Sequence, residues 1–171
     1  MLRGTQLKQL TEGRTVRVEV VVKSQADRAQ VWRTLVNWER QSEWMLDAKS
    51  VEVVSENREG VGVTIVCPTN LLGFTVRDVM RVTRWVQDEV LEVIHLGKII
   101  TGVGAFELQD TPAEAGGAPA GTTIRWWEEV DPPGGAVGSW GADTFVAPIV
   151  RRIFTRSLTN LARLAEQDSA A

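Results

Sequence analysis

The stretch Phe74–Leu96, FTVRDVMRVTRWVQDEVLEVIHL, decides how the rest of the chain is read. Over Phe74–Val86 and again over Glu89–Leu96, apolar and polar side chains alternate with the period of a half-buried strand. Only Gln87 and Asp88 separate the two runs, which suits a two-residue hairpin turn. Pairing then begins with Val86 opposite Glu89, and it sets Met80 opposite His95 and Thr83 opposite Glu92. Directly opposed residues share a face of the sheet. Phe74, Val76, Asp78, Met80, Val82 and His95 therefore face inward, whereas Arg77, Arg81 and Glu92 face outward. A bulge in either strand would reverse part of this assignment.

Working outward, Val51–Ser55, Val61–Cys67, Ile100–Gln109 and Thr122–Val130 read as further strands. Turn signals separate them at Asn57–Gly60, Pro68–Gly73 and Gly97–Lys98, with a Gly/Ala/Pro-rich loop at Ala113–Gly121. Val16–Lys23 (VRVEVVVK) adds one more strand at the start. Hairpin-length gaps argue for antiparallel pairing. The same parity turns Gly102, Gly104, Phe106, Leu108, Ile124, Trp126 and Glu128 inward and Arg125 and Trp127 outward. After the first strand, Asp27 is placed to cap a short helix carrying Val31, Trp32, Leu35 and Val36. Asn37–Asp47 reads as a loop with one more helical turn, carrying Trp38, Trp44 and Met45. From Phe145 to about Gln167 the apolar residues follow a 3.6-residue period. That helix should bury Ile149, Ile153 and Leu161 and leave Arg151, Arg152, Arg156 and Arg163 in solvent.

The element string is α+β: a seven-stranded curved antiparallel sheet around a long C-terminal helix, with two short helices after the first strand. With 171 residues the chain fits one domain. Residues 1–15 read as an N-terminal extension and 168–171 as a disordered tail. A net charge of -3 argues against nucleic acid as the partner. One cysteine, Cys67, excludes an internal disulfide framework, and one cysteine with one histidine excludes a His/Cys-rich zinc site. No apolar run approaches the roughly 20 residues of a membrane span. Residues 1–15 carry no secretory apolar stretch, so a cytoplasmic protein is expected. No phosphate-cradling loop or nucleophile elbow is present, and no cofactor is expected.

Several segments resemble the SRPBCC superfamily of START-like, helix-grip proteins, in particular its polyketide cyclase/dehydrase-like branch. They are ADRAQVWRTLVNWERQSEWM at Ala26–Met45, REGVGVTI at Arg58–Ile65, GVGAFEL at Gly102–Leu108, GTTIRWWEEV at Gly121–Val130 and VAPIVRRIFTRSLTNLARLAE at Val146–Glu166. The resemblance runs from about Val16 to Gln167. It implies a single START-like domain that holds an apolar or amphipathic ligand between sheet and C-terminal helix. It also implies that the segment with Trp44 and Met45 closes one end of the grip.

An apolar interior with three polar groups, Asp78, His95 and Glu128, follows from the parity. Buried carboxylates are costly unless paired. Asp78 and His95 either satisfy each other structurally or form a pair that orients an imidazole for general acid/base work. Trp126 is either a cavity wall or cavity filling, and Trp140 is placed to cap a pocket. Gly102 and Gly104 are expected to leave room against the helix. Three functions fit. The first is a non-catalytic carrier or sensor of a lipid, isoprenoid or polyketide-like molecule, lined by Trp44, Met45, Val76, Met80, Gly102, Gly104, Phe106, Trp126, Glu128 and Trp140. The second is an aromatase/cyclase or dehydratase using Asp78 and His95. The third is a protein-binding module with a collapsed cavity and an apolar patch around Trp85 and Trp127.

Overall fold

Alternation builds the sheet from its first strand: Val16, Val18 and Val20 are buried and the residues between them are not. The computed structural model describes residues 16–131 and 147–170, apart from residues 72, 98, 114, 118 and 119. In chain order the elements are β1 (Val16–Ser24), α1 (Arg28–Leu35), a 3-10 turn (Trp38–Arg40), α2 (Gln41–Trp44) and β2 (Glu52–Val53). There follow β3 (Thr64–Leu71), β4 (Phe74–Val86), β5 (Val90–Leu96), β6 (Thr101–Thr111), β7 (Gly121–Asp131) and α3 (Ala147–Ser169). The strands form one antiparallel sheet in the order β1-β7-β6-β5-β4-β3-β2. This is the helix-grip fold.

Asp27 caps α1 as its residue type suggests, its Oδ1 accepting from the Gln30 N–H at 2.7 Å. Helix α3 lies along β1 and α1 and reaches α2 and β7. Phe154, Leu158, Leu161, Ala162 and Ala165 form its buried stripe, while Arg151, Arg152, Arg156 and Arg163 stay in solvent. Ile149 departs from expectation and is exposed. Five residues before Phe154 is about 140° around the helix, which carries its side chain off the stripe. The helix also runs through Asp168 and Ser169, two residues into the expected tail. Arg40 holds Asp168 there at 2.8 Å.

The central hairpin differs from the simple turn in two ways that offset each other. Its loop has three residues, Gln87–Glu89, with Asp88 at φ 61, and Val86 pairs with Val90 instead of Glu89. That alone would displace the ladder by one residue. A bulge at Thr83 restores it, because Arg84 pairs with Glu92 and Val82 with Val93. Met80 consequently does face His95, whereas Thr83 is unpaired and Glu92 sits across from Arg84. Thr83 and Arg84 both point to solvent, so Trp85 turns inward and packs edge-on against Trp32, ring centroids 5.1 Å apart. Trp85 therefore contributes to the interior, not to a surface patch.

Strand β3 is displaced too, running through the expected Pro68 turn to Leu71. The Pro68 carbonyl accepts from the Lys49 N–H at 3.3 Å, on the side away from β4. The missing Pro68 N–H falls on that same side, past the end of the two-residue β2, and costs the β3–β4 ladder nothing.

Candidate functional site

Strands β4, β5 and β7 bring three titratable groups together on the inner face. His95 Nδ1 donates to Asp78 Oδ2 at 2.9 Å, with both side chains at least nine-tenths buried. His95 Nε2 lies 4.0 Å from Glu128 Oε1, and the same carboxylate oxygen accepts from Trp126 Nε1 at 3.3 Å. Burial opposes the charged imidazole, but the bond to Asp78 and the charges of Glu128 and Asp78 outweigh it and raise the His95 pKa. Burial lifts Glu128 to about 7 against the pull of the His95 charge, with Asp47 and Asp78 adding to the rise.

Asp47 belongs to the same region, although its sequence context gives no hint of it. It follows α2 in a segment fixed to α3 by two bonds: Leu46 N–H to Ser157 Oγ at 3.0 Å, and Asn160 Nδ2 to the Trp44 carbonyl at 3.4 Å. Ala48, its neighbour, bridges to Thr69 on β3. Burial raises the Asp47 pKa against a bond from its own backbone, and the Asp78 charge raises it further. Cys67, opposite Asp78 in the ladder, is a buried thiol pushed up to about 11, chiefly by burial and also by Asp47 and Asp78. At that value it is no nucleophile near neutrality. Four buried polar atoms have no hydrogen-bond partner among the described residues: Asp47 Oδ1, Asp78 Oδ1, His95 Nε2 and Trp44 Nε1. Unsatisfied buried groups are rare enough to mark a site.

An aromatic wall adjoins these groups. Trp126 stacks on Phe154 of α3 with centroids 3.8 Å apart and on Phe106 at 4.9 Å, and Trp44 meets both Phe106 and Trp126 edge-on. Phe154 is a member of this cluster that the helical period places in the core without singling it out. Met45, Val76 and Met80 are half-buried, Met80 beside His95. The two glycines do not open space as expected. A Cβ on Gly104 would meet Glu128 Cγ at 2.9 Å, so the carboxylate side chain occupies that room. Gly102, at φ 139, lets the β7 backbone come close, and a Cβ there would strike the Glu129 carbonyl. Trp140 lies outside the described residues. Trp127 faces outward as expected, half-buried under the Arg17 guanidinium and bonded to Glu107 at 2.8 Å.

Among the described residues, no helix is long and apolar enough to cross a membrane, and no group of three His, Cys, Asp or Glu side chains is set to hold a metal ion. No curated protein sequence matches the chain. Solved structures do match its fold. The TTHA0849 protein of Thermus thermophilus aligns with a TM-score of 0.73 at 15% identity, over 90% of this chain and 99% of that one. The Zhui aromatase/cyclase of Streptomyces sp. R1128 aligns at 0.70 and 17% identity, over 90% and 94%. The di-domain ARO/CYC StfQ of the steffimycin biosynthetic pathway aligns at 0.72 and 10% identity, over 96% of this chain and 55% of that one. The family described as polyketide cyclase / dehydrase and lipid transport matches residues 15–166. With nearly the whole chain matched and the helix-grip architecture in place, the protein belongs to the polyketide cyclase / dehydrase and lipid transport family.

Proposed function

We propose that the chain binds an amphipathic small molecule between its sheet and α3. The apolar body lies against Trp44, Phe106, Trp126 and Phe154, and the polar end reaches His95, Asp78 and Glu128. The observation that carries this reading is His95 Nε2, a buried ring nitrogen oriented through Nδ1 by Asp78 and left without a hydrogen-bond partner of its own. Membership of a family that joins cyclase/dehydrase and lipid-transport members supports it. Native mass spectrometry of freshly purified protein tests it. A co-purified organic molecule released on denaturation supports the reading, and uniformly empty protein that takes up no apolar probe removes it.

A second reading, acid–base catalysis, is favoured by the Glu128–His95 approach at 4.0 Å. Neutral His95 would take a proton at Nε2 from carbon beside a ketone, and protonated Glu128 would give one to the carbonyl oxygen, leaving an enol. That is the opening step of an aldol closure or a dehydration, and two of the structural neighbours carry the names aromatase/cyclase and ARO/CYC. Deuterium exchange into the methyl group of 2-acetylnaphthalene, followed by proton NMR, separates the two readings. Exchange above buffer that disappears in His95→Gln supports catalysis, whereas binding without exchange leaves a carrier.

A further inference from the structure

Among the described residues, three carboxylates and one imidazole make up the charge of the inner pole. Asp78 acts on Asp47, Cys67, His95 and Glu128, Asp47 acts on Cys67 and Glu128, and Glu128 acts on His95; among the groups that shift Asp47, Cys67, His95 and Glu128 there is no arginine or lysine. The arginines of the neighbouring strands lie elsewhere: Arg77, Arg81 and Arg84 are exposed, and Arg125 is engaged with Glu19 and Glu107 on the outer face. Two carboxylate oxygens, on Asp47 and Asp78, lack donors, while Trp44 Nε1 lacks an acceptor and His95 Nε2 is free to take either role.

We infer that this pole selects an uncharged hydroxyl group, as on a phenol, an enol or a sterol-like alcohol, and rejects a carboxylate or phosphate head group. The inference rests on the binding reading above and narrows its ligand class. An anion placed here meets three carboxylates with, among the described residues, the imidazole alone to oppose them, in an interior that strengthens every like-charge contact. An ammonium has donors only, so it can serve the two carboxylate oxygens but leaves Trp44 Nε1 without an acceptor. A hydroxyl suits both sides, because one oxygen gives a proton to Asp47 or Asp78 and accepts from Trp44 Nε1 or His95. Fatty acids and phospholipids are thereby disfavoured as cargo, though their chains would suit the aromatic wall.

The test uses three probes of one apolar body: 2-naphthol, 2-naphthoate and 2-naphthylmethylamine, each titrated at pH 7 against intrinsic tryptophan fluorescence. Naphthol should bind saturably, with the anion and the cation each about tenfold weaker or more. Asp47→Asn and, independently, Glu128→Gln should improve naphthoate binding several-fold while changing naphthol less, with circular dichroism confirming that each variant is folded. Naphthoate binding as tightly as naphthol, or the amine binding tightest, overturns the inference and leaves the binding reading standing. If none of the three probes binds, the binding reading falls and the inference falls with it.

Discussion

Trp126 and Phe154 lie face to face, ring centroids 3.8 Å apart and planes 7° from parallel, while the same indole gives its N–H to Glu128. One side chain thus spans the apolar wall and the polar pole and joins β7 to α3. Phe154→Ala should cost about 3–5 kcal/mol, the usual range for a buried aromatic. Urea denaturation measures it, and a loss below about 1 kcal/mol would mean that the stack is not part of the core.

Burial along α3 gives a contrast within one helix. Leu161, fully buried, should lose about 2–5 kcal/mol on replacement by alanine. Ile149, half-exposed, should lose no more than about 0.5 kcal/mol. Equal losses in thermal melts would show Ile149 to be covered in solution.

His95 is the one histidine of the chain, so its ring protons titrate without overlap in NMR. In the wild type its pKa should stand above the ordinary value, as the bond to Asp78 and the neighbouring carboxylates dictate. Asp78→Asn removes the raising charge but keeps the burial, and the pKa should then drop. A value unmoved by this substitution would show that the 2.9 Å contact is not populated.

Stability should fall as pH rises from about 4.5 through about 7. In that window folded Glu128 still holds a proton that the unfolded chain has released, so the folded state binds more protons and raising the pH favours unfolding. His95 acts in the same direction, its raised pKa giving stability below its unfolded value that is lost as pH passes the folded one. Glu128 contributes at most about 3 kcal/mol to this slope. Glu128→Gln should flatten the profile of melting temperature against pH, and an unchanged slope would place the titration elsewhere.

Probe binding should depend little on salt. The aromatic wall supplies apolar burial, and the pole offers an uncharged hydroxyl no long-range attraction to screen. Affinity for 2-naphthol that falls steeply with added sodium chloride would point to a charged surface site instead.

Much of the inner face is legible in the sequence because alternation survives wherever a strand is regular. Asp78, His95, Phe106, Trp126 and Glu128 all share the face their parity assigns. Trp85 escapes because Thr83 and Arg84 are two polar residues in succession, so the spacing from Val82 to Trp85 is three and not two. That interruption is visible in the sequence and marks the bulge. Pro68 reads as a terminator from its missing donor, but only the neighbour on each side of a strand tells whether that donor is needed. Asp47 leaves no local trace at all, since long-range bonds to Ser157 and Asn160 put its segment in place. Gly104 reads as empty space, and the rotamer of Glu128 that fills it is not encoded in any periodicity.

The bulge at Thr83 also bears on how chains of this family can vary in length. Thr83 has no partner in the ladder, and it and Arg84 both project to solvent, so excising Thr83 would close the ladder into a regular one and leave Val82 and Trp85 on the inner face. Excising Val82 or Trp85 instead removes a core side chain from that face. Position 83 is therefore where an alignment of relatives can carry a single-residue gap inside β4 without any interior side chain changing sides.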